Sequence, residues 1–165
     1  MFDDVAALLG IDVDAAGYRL TYVKGRYFRV HRRGFVKHLV YPVPPPRLIG
    51  LGVHVTVDLQ GGAKLGPDTD VLPDRRIDYS VPESLREAFH RAASRYLRGL
   101  ALDDLEPDQA GIRPKLNLSA REAADFIVAE ESARGFAGWV NLIGIESPGL
   151  TASLALAEEV RTLVG

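Results

Sequence analysis

Four side chains of this sequence have the chemistry of a site that binds a carboxylate and moves a proton. An imidazole such as that of His54 can accept a proton near neutral pH. The guanidinium of Arg113, beside the stiff Pro114, can hold a carboxylate through two parallel hydrogen bonds. Lys115 alternates with Arg113 along a predicted strand, and the Tyr41 hydroxyl can bond a substrate. His54 is therefore the candidate base, and the other three are candidates for substrate binding.

Each of these residue types also has an ordinary structural role. A strand histidine is commonly hydrogen-bonded inside its sheet, here to Thr56 or to a neighbouring strand. Arg113 can form a surface salt bridge, and Lys115 can be solvated. Most strand tyrosines simply pack, which applies to Tyr41. From the residues alone, both interpretations stand.

The segment from Val140 to Ser153 predicts an apolar strand, a glycine-bearing loop and the start of a helix. Ser147 is placed to cap this helix, and Pro148 suits its first position. The N–H groups of the first turn then point outward at the positive end of the helix dipole. The small Gly149 lets a planar or anionic ligand approach the backbone. A capped helix after a strand is also a common structural element, so spacing alone leaves both interpretations open.

The remaining patterns predict the elements that position these residues. The predicted helices cover residues 2–9, 80–97 and 150–163, and the first two end at Gly10 and Gly99. Residues 103–111 are expected to be irregular. The predicted strands are 19–24 and 26–30 (joined by a tight turn at Gly25), 38–41 (stopped by the proline run ending at Pro46), 53–59, 63–65, a strand from 112, one around 126–129, and 139–143. Together they predict an α+β fold, an antiparallel sheet with helices packed on one face.

Composition narrows the classes of function. The 165 residues are 47% apolar and 25% charged, which is typical of a globular domain. A net charge of −2 gives no reason to expect nucleic acid, and no apolar run reaches the roughly 20 residues of a membrane span. Without cysteine, and with four histidines at no metal-binding spacing, we expect no metal site and a cytoplasmic protein.

Several segments resemble one flavoenzyme family in its order. Residues 144–155 resemble the C-terminal flavin motif of the D-amino-acid-oxidase-like (DAO) superfamily. The stretch 50–59 with Gly66-Pro-Asp, the stretch 38–44 and Gly111-Ile-Arg-Pro-Lys115 are similar to the branch containing L-2-hydroxyglutarate oxidase and dehydrogenase. The resemblance runs from about residue 2 to about residue 163.

This resemblance implies FAD as cofactor and a small carboxylate as substrate. It implies that Arg113 binds the substrate carboxylate and that His54 is the base, with Lys115 available for a second carboxylate of an L-2-hydroxyglutarate-like substrate. A glycine- or sarcosine-type amine is the alternative substrate. The residues implied to bind the flavin are Gly144, Ile145, Glu146, Ser147, Pro148, Gly149, Leu150 and Thr151.

The sequence departs from the family in one respect. It contains no Gly-x-Gly-x-x-Gly unit between a strand and a helix, the unit that holds the FAD pyrophosphate. We therefore expect a substrate-binding domain over residues 1–136 and, over 137–165, the last strand and helix of an otherwise missing FAD-binding domain. Self-association, or a partner that supplies the missing half, is expected. The alternative from another class is a non-catalytic module that pairs with a separate FAD-binding chain.

Overall fold

The structure is a computed structural model that describes residues 2–43, 52–116 and 124–165. The end of the predicted proline run at Pro46, and Gly50 of the family segment, lie outside these residues. The chain forms two compact units, which are treated separately below. The central unit is Val23–Ile112, and the terminal unit combines Met1–Tyr22 with Arg113–Gly165.

The fold is α+β, as predicted, with antiparallel pairing in both sheets. Three short 3-10 turns lie at Glu83–Leu85, Leu102–Asp104 and Ser132–Arg134. The longer elements are α1 (Phe2–Leu8), β1 (Leu20–Val30), β2 (His54–Val57), β3 (Ala63–Gly66), β4 (Asp70–Leu72), α2 (Arg86–Ala93), β5 (Leu105–Leu116), β6 (Ile127–Glu131), β7 (Phe136–Ile143) and α3 (Gly149–Val164).

The central unit is a sheet with α2 packed on one face. The strand order is β2-β3-β1-β4, and β5 also pairs with β1. Phe28 of β1 and Phe89 of α2 meet with ring centroids 4.7 Å apart, and both are buried. The rest of this core comprises Val30, Val55, Ala63, Leu65, Ala93, Leu100 and Leu105. The opposite face of β2 and β3 is thereby left to polar side chains, as strand alternation requires.

The terminal unit is built on the β6–β7 hairpin. The two strands pair from Ile127 opposite Ile143 to Glu130 opposite Val140. Helix α1 packs on β7, and α3 contacts both strands. Ala6, Ile11 and Leu20 are among its buried apolar residues.

Gly25 was predicted to make a tight turn, and this prediction is wrong. β1 runs without a break from Leu20 to Val30 through Gly25. A Cβ on Gly25 would lie 2.7 Å from Cβ of Pro67, so this glycine allows a close approach between chain segments.

Two further predictions differ from the structure. The helix that was expected to start at Ser80 is shorter in the structure, where α2 begins at Arg86 and ends at Ala93. The Ser80 hydroxyl and N–H instead bind Asp78, whose carboxylate also holds the buried Lys24 at 2.8 Å. The stretch expected to be irregular contains β5, which begins at Leu105.

The expected domain boundary after residue 136 falls inside the hairpin. Phe136 begins β7, which pairs with β6 in the terminal unit. The compact units divide at residues 22/23 and 112/113, within β1 and β5, and the assignment of residues 137–165 to an FAD-binding domain stays a prediction. The helices of the described residues include none that is both long and apolar enough to cross a bilayer.

Candidate functional site

His54 and Tyr41 lie together in the central unit. An isolated bridge pairs Val40 with Val55, and this register sets Tyr41 opposite His54. Their rings stack with centroids 4.2 Å apart and an interplanar angle of 19°. His54 is buried, whereas Tyr41 is 48% exposed, so the tyrosine covers one face of the imidazole. The structure thus brings together the predicted base and one predicted substrate-binding residue.

A hydrogen bond to the backbone of Gly52 orients the His54 ring. Nδ1 lies 2.9 Å from the carbonyl oxygen of Gly52, and a carbonyl oxygen only accepts. Nδ1 therefore donates, and in the neutral ring Nε2 carries the lone pair. That tautomer has the form a general base requires.

Arg113 lies on β5 in the terminal unit and is exposed. Among the described residues, no carboxylate forms a salt bridge with it. The salt-bridge interpretation of Arg113 is therefore without support among the described residues. Arg113 and His54 belong to different compact units.

Lys115 is bound by the loop that precedes α3. Its Nζ lies 2.7 Å from Oε1 of Glu146, and both side chains are largely buried. The bond joins a predicted substrate-binding residue to a predicted flavin-binding residue. The charge of Lys115 is thus already engaged, which the prediction of a second carboxylate site did not anticipate.

The start of α3 differs from the predicted cap. The helix begins at Gly149 rather than at Pro148, and Pro148 occupies the N-cap position with a non-helical backbone. No side chain caps the helix, so the Ser147 hydroxyl does not have the predicted role. A capping serine normally has a β-region backbone at the N-cap. The backbone of Pro148, which occupies the N-cap here, lies outside that region. Among the described residues, the first-turn N–H groups lack a side-chain acceptor at the positive end of a 16-residue helix, and the Gly149 N–H donates to the Glu146 carbonyl oxygen.

This donor set fits the electron-rich edge of a flavin ring. The backbone of the loop is closely confined, because a Cβ on the buried Gly149 would lie 2.5 Å from Cγ2 of Ile145. Gly144 has a φ of +73°, and a Cβ there would collide with the Leu116 side chain. The glycines thus hold the loop in a conformation that a larger residue would not allow.

A buried acidic network in the terminal unit was missed by the sequence analysis. Glu131 is fully buried and accepts hydrogen bonds from the Tyr18 hydroxyl (2.5 Å), Asn141 Nδ2 (2.8 Å) and Arg134 Nη1 (2.6 Å). Burial by itself would raise the pKa of Glu131, but these three bonds outweigh it and lower the pKa. Burial and the bond to Glu131 raise the pKa of Tyr18 to about 12.

Clusters of three or more His, Cys, Asp or Glu side chains that could hold a metal ion do not occur in the described residues. The network around Glu131 is accordingly an arrangement of hydrogen bonds and one ion pair, with Arg134 as the cation.

Comparison with known proteins decides the family. The family described as FAD dependent oxidoreductase (DAO) matches residues 4–163, nearly the whole chain. The chain belongs to this DAO family. The motifs at residues 144–155 and 111–115 implied a similarity to this family. The match confirms it.

Several curated relatives are similar to parts of this DAO-family chain. The mitochondrial L-2-hydroxyglutarate dehydrogenase of Arabidopsis thaliana is 42% identical over 84% of this chain and 30% of its own length. The enzyme of that name in Caenorhabditis elegans is 27% identical over 96% of this chain and 44% of its own length. A glycerol 3-phosphate dehydrogenase of Caloramator mitchellensis is 31% identical over 81% of this chain and 26% of its own length.

A solved structure has a similar fold. The L-α-glycerophosphate oxidase of Mycoplasma pneumoniae, in its dithionite-reduced form with FAD bound, superposes with a TM-score of 0.74 and 25% identity. The match covers 99% of this chain and 40% of the oxidase chain. The chain thus spans less than half the length of each of these proteins.

Proposed function

We propose that the protein is an FAD-dependent oxidoreductase that oxidises a 2-hydroxy acid of the L-2-hydroxyglutarate type. The observation that carries the proposal is the stacked His54–Tyr41 pair, with the His54 proton directed to the Gly52 carbonyl. The names of the relatives from Arabidopsis thaliana and Caenorhabditis elegans support this substrate class.

His54 acts as the general base in this proposal. Because Nδ1 donates to Gly52, Nε2 is the atom that receives the hydroxyl proton of the substrate. The stacked ring of Tyr41 holds the imidazole plane and presents a hydroxyl for the substrate. A positioned base of this kind typically contributes about 10²–10⁴-fold to a rate.

Arg113 would hold the substrate carboxylate, since a guanidinium matches a carboxylate with two parallel hydrogen bonds. Lys115 has three N–H donors, so it could bind a second carboxylate while it keeps its bond with Glu146. Because Glu146 lies in the loop before α3, the ion pair links a substrate bound by Lys115 to that loop.

FAD is the proposed cofactor, and the loop with the first turn of α3 would hold the edge of its ring. Bound FAD supplies the acceptor for the hydride that leaves the substrate carbon. The N–H groups of Leu150 and Thr151 lie in the uncapped first turn and are suited to acceptor atoms of that edge. Gly144 and Gly149 keep the loop compact beneath it.

A glycerol phosphate is the second candidate substrate. It is favoured by the names of the Caloramator relative and the Mycoplasma oxidase, whose fold this chain shares. The same base would serve, because both substrates lose a hydroxyl proton. Arg113 would then bind a phosphate, another anion that matches its guanidinium.

Association with a partner is also part of the proposal. Leu150 and Leu154 of α3 are 91% and 85% exposed, an apolar surface that favours contact with a second chain or a second copy. We also propose a cytoplasmic location, while the two relatives from Arabidopsis thaliana and Caenorhabditis elegans are named mitochondrial.

A histidine-to-asparagine exchange tests the base. In His54→Asn the side-chain amide can still donate to the Gly52 carbonyl, but the proton acceptor at Nε2 is gone. We expect oxidation of L-2-hydroxyglutarate by the FAD-saturated protein to slow about 10²–10⁴-fold. His38→Asn, a change at an exposed histidine, is the matched control and should retain full activity. Equal rates for the two variants would exclude His54 as the base.

A further inference from the structure

A row of side chains crosses the polar face of the central sheet at His54. His54 of β2 lies directly opposite Gly66 of β3, and directly opposite residues share a face of a sheet. On the other side of His54, the stacked ring of Tyr41 continues the row. Gly66 leaves the position beside the imidazole without a side chain of its own.

The ring of Tyr27 occupies that position. A Cβ built on Gly66 would lie 2.7 Å from Cδ1 and 3.0 Å from Cγ of Tyr27. The Tyr27 ring thus lies over Gly66, on the face that carries His54. The Cγ end of the ring contacts Gly66, so the hydroxyl end of Tyr27 is the part that extends beyond the glycine. Two tyrosines therefore lie in the same row as the candidate base, Tyr41 beside His54 and Tyr27 on the far side of Gly66.

Only glycine allows this arrangement at position 66. Its φ of +144° lies in a region that side-chain-bearing residues rarely adopt. A Cβ would also collide with the Arg26 carbonyl oxygen, 2.6 Å away. The close approach of Arg26 and of the Tyr27 ring therefore requires glycine at position 66, directly opposite His54.

Neighbouring contacts hold the Tyr27 backbone in place. The Arg26 N–H donates to Oδ1 of Asp68 at 2.7 Å, and the Asp68 N–H donates back to the Arg26 carbonyl at 3.2 Å. Arg26 Nε also binds the Asp68 carboxylate at 2.8 Å. Arg26 is thus bound through its N–H, its carbonyl and its side chain. The side chain of Tyr27, the next residue, therefore leaves the strand in a defined direction. Such preorganisation is what a binding residue requires.

The cations of the adjacent row are engaged by carboxylates. Lys64 lies opposite Thr56 and opposite Arg29 in the next row of the same face. Lys64 Nζ lies 2.9 Å from Asp108, and Arg29 lies 3.7 Å from Glu106. The tyrosines of the row that contains His54 take no part in these ion pairs, so their hydroxyls are better placed than these cations to donate to a substrate.

We infer that Tyr27 is a substrate-binding residue whose phenol hydroxyl donates a hydrogen bond to an anionic oxygen of the substrate. Tyr27 and Tyr41 then bracket the substrate on either side of His54. This inference rests on the proposed function, since it assigns a second contact to the same site. It concerns binding and orientation only, so the proton transfer stays with His54.

Tyr27→Phe tests the inference, because it removes the hydroxyl and keeps the ring on Gly66. Tyr79→Phe, at a tyrosine that is 57% exposed, is the matched control. Both variants and the wild type are saturated with FAD and titrated calorimetrically with glutarate, a ligand without the reacting hydroxyl, and with glycerol 3-phosphate. KM and kcat for L-2-hydroxyglutarate and the thermal unfolding midpoint are measured on the same samples.

We expect Tyr27→Phe to weaken binding of glutarate and to raise KM about tenfold or more, the effect of losing one hydrogen bond to a charged group. Its kcat and unfolding midpoint should match those of Tyr79→Phe. Binding constants and KM equal to those of the wild type would overturn the inference and leave Tyr27 as a packing residue. If the wild type binds neither ligand, the proposed function fails and the inference fails with it. If the wild type binds only glycerol 3-phosphate, the affinities of Tyr27→Phe and Tyr79→Phe for that ligand decide the inference.

Discussion

Glu131 is the most completely buried charged group of the terminal unit, and its surroundings are matched to a carboxylate. One oxygen accepts from Tyr18 and Asn141, and the other accepts from Arg134. Asn141 is itself oriented by Trp139, whose indole N–H donates to its amide oxygen at 3.0 Å. The network therefore ties Tyr18, in the segment before β1, to both strands of the β6–β7 hairpin. A buried charge is tolerated only with partners of this kind.

Removing the charge of Glu131 should destabilise the protein. Glu131→Gln keeps the shape of the side chain but offers an NH₂ group where an oxygen accepted a bond. We expect a loss of about 1–3 kcal/mol in the free energy of unfolding, measured by urea denaturation at neutral pH. Glu158→Gln, which removes an exposed carboxylate paired with Arg161, is the control and should change little. An unchanged midpoint in Glu131→Gln would show that the network does not stabilise the fold.

The same carboxylate predicts a dependence of stability on pH. The pKa of Glu131 is lower in the folded protein than its ordinary value of 4.5. The ionised form is therefore favoured by folding, and its stabilising effect is present above pH 4.5 and is lost as the pH falls through the folded pKa. The difference in stability between wild type and Glu131→Gln should thus narrow in acid. A difference that stays constant down to acidic pH would contradict this assignment.

At the scale of elements, β1 connects the candidate site to the rest of the sheet. It carries Tyr27 and passes Pro67 at Gly25, where there is no room for a side chain. Periodicity predicted strands on both sides of Gly25 but placed a turn between them, because the contact that requires glycine comes from a residue distant in sequence. The helix from Ser80 was overestimated for a similar reason. Asp78, held by the buried Lys24, binds Ser80 and so takes the predicted capping group away from the helix.

A pair of glycine variants tests the close approach at β1. Gly25→Ala should lower the free energy of unfolding by about 1–3 kcal/mol, because its Cβ would overlap Pro67. Gly111→Ala on β5 meets nothing within 4 Å and should be neutral or stabilise the protein by up to about 1 kcal/mol. Chemical denaturation of both variants measures the contrast. Equal effects would mean that Gly25 has no packing role.

Motifs whose residues lie close together in the sequence were predicted more readily than contacts between residues that are far apart in the sequence. The alternation from His54 to Val57, the β6 and β7 strands and α3 follow from local periodicity, and the closing motif identified the family. The sequence could not show that Tyr27 lies over Gly66 or that Lys115 binds Glu146. Both contacts depend on sheet register and loop path, which are set by the whole fold.

At the scale of the whole molecule, exposed leucines on α3 predict self-association of the purified chain. Leu154 is 85% exposed, and transferring such a side chain out of water favours association. We expect size-exclusion chromatography with light scattering to give a mass above that of the 18.0 kDa monomer. Leu154→Glu should shift the equilibrium towards monomer. Ser153→Glu adds the same charge on the same helix and is the control. A concentration-independent monomer for the wild type would contradict the prediction.

The proposed binding of FAD and oxidation of a 2-hydroxy acid by this chain can be tested by anaerobic flavin reduction. The purified protein is titrated with FAD, followed by flavin fluorescence and visible absorbance, with Arg113→Ala measured in parallel. L-2-hydroxyglutarate, glycerol 3-phosphate and sarcosine are then added separately without oxygen. We expect saturable FAD binding by both proteins. In the wild type, L-2-hydroxyglutarate should bleach the flavin band, and Arg113→Ala should need much more substrate for the same effect. Absence of saturable FAD binding, or bleaching by sarcosine but not by the hydroxy acid, would contradict the proposal.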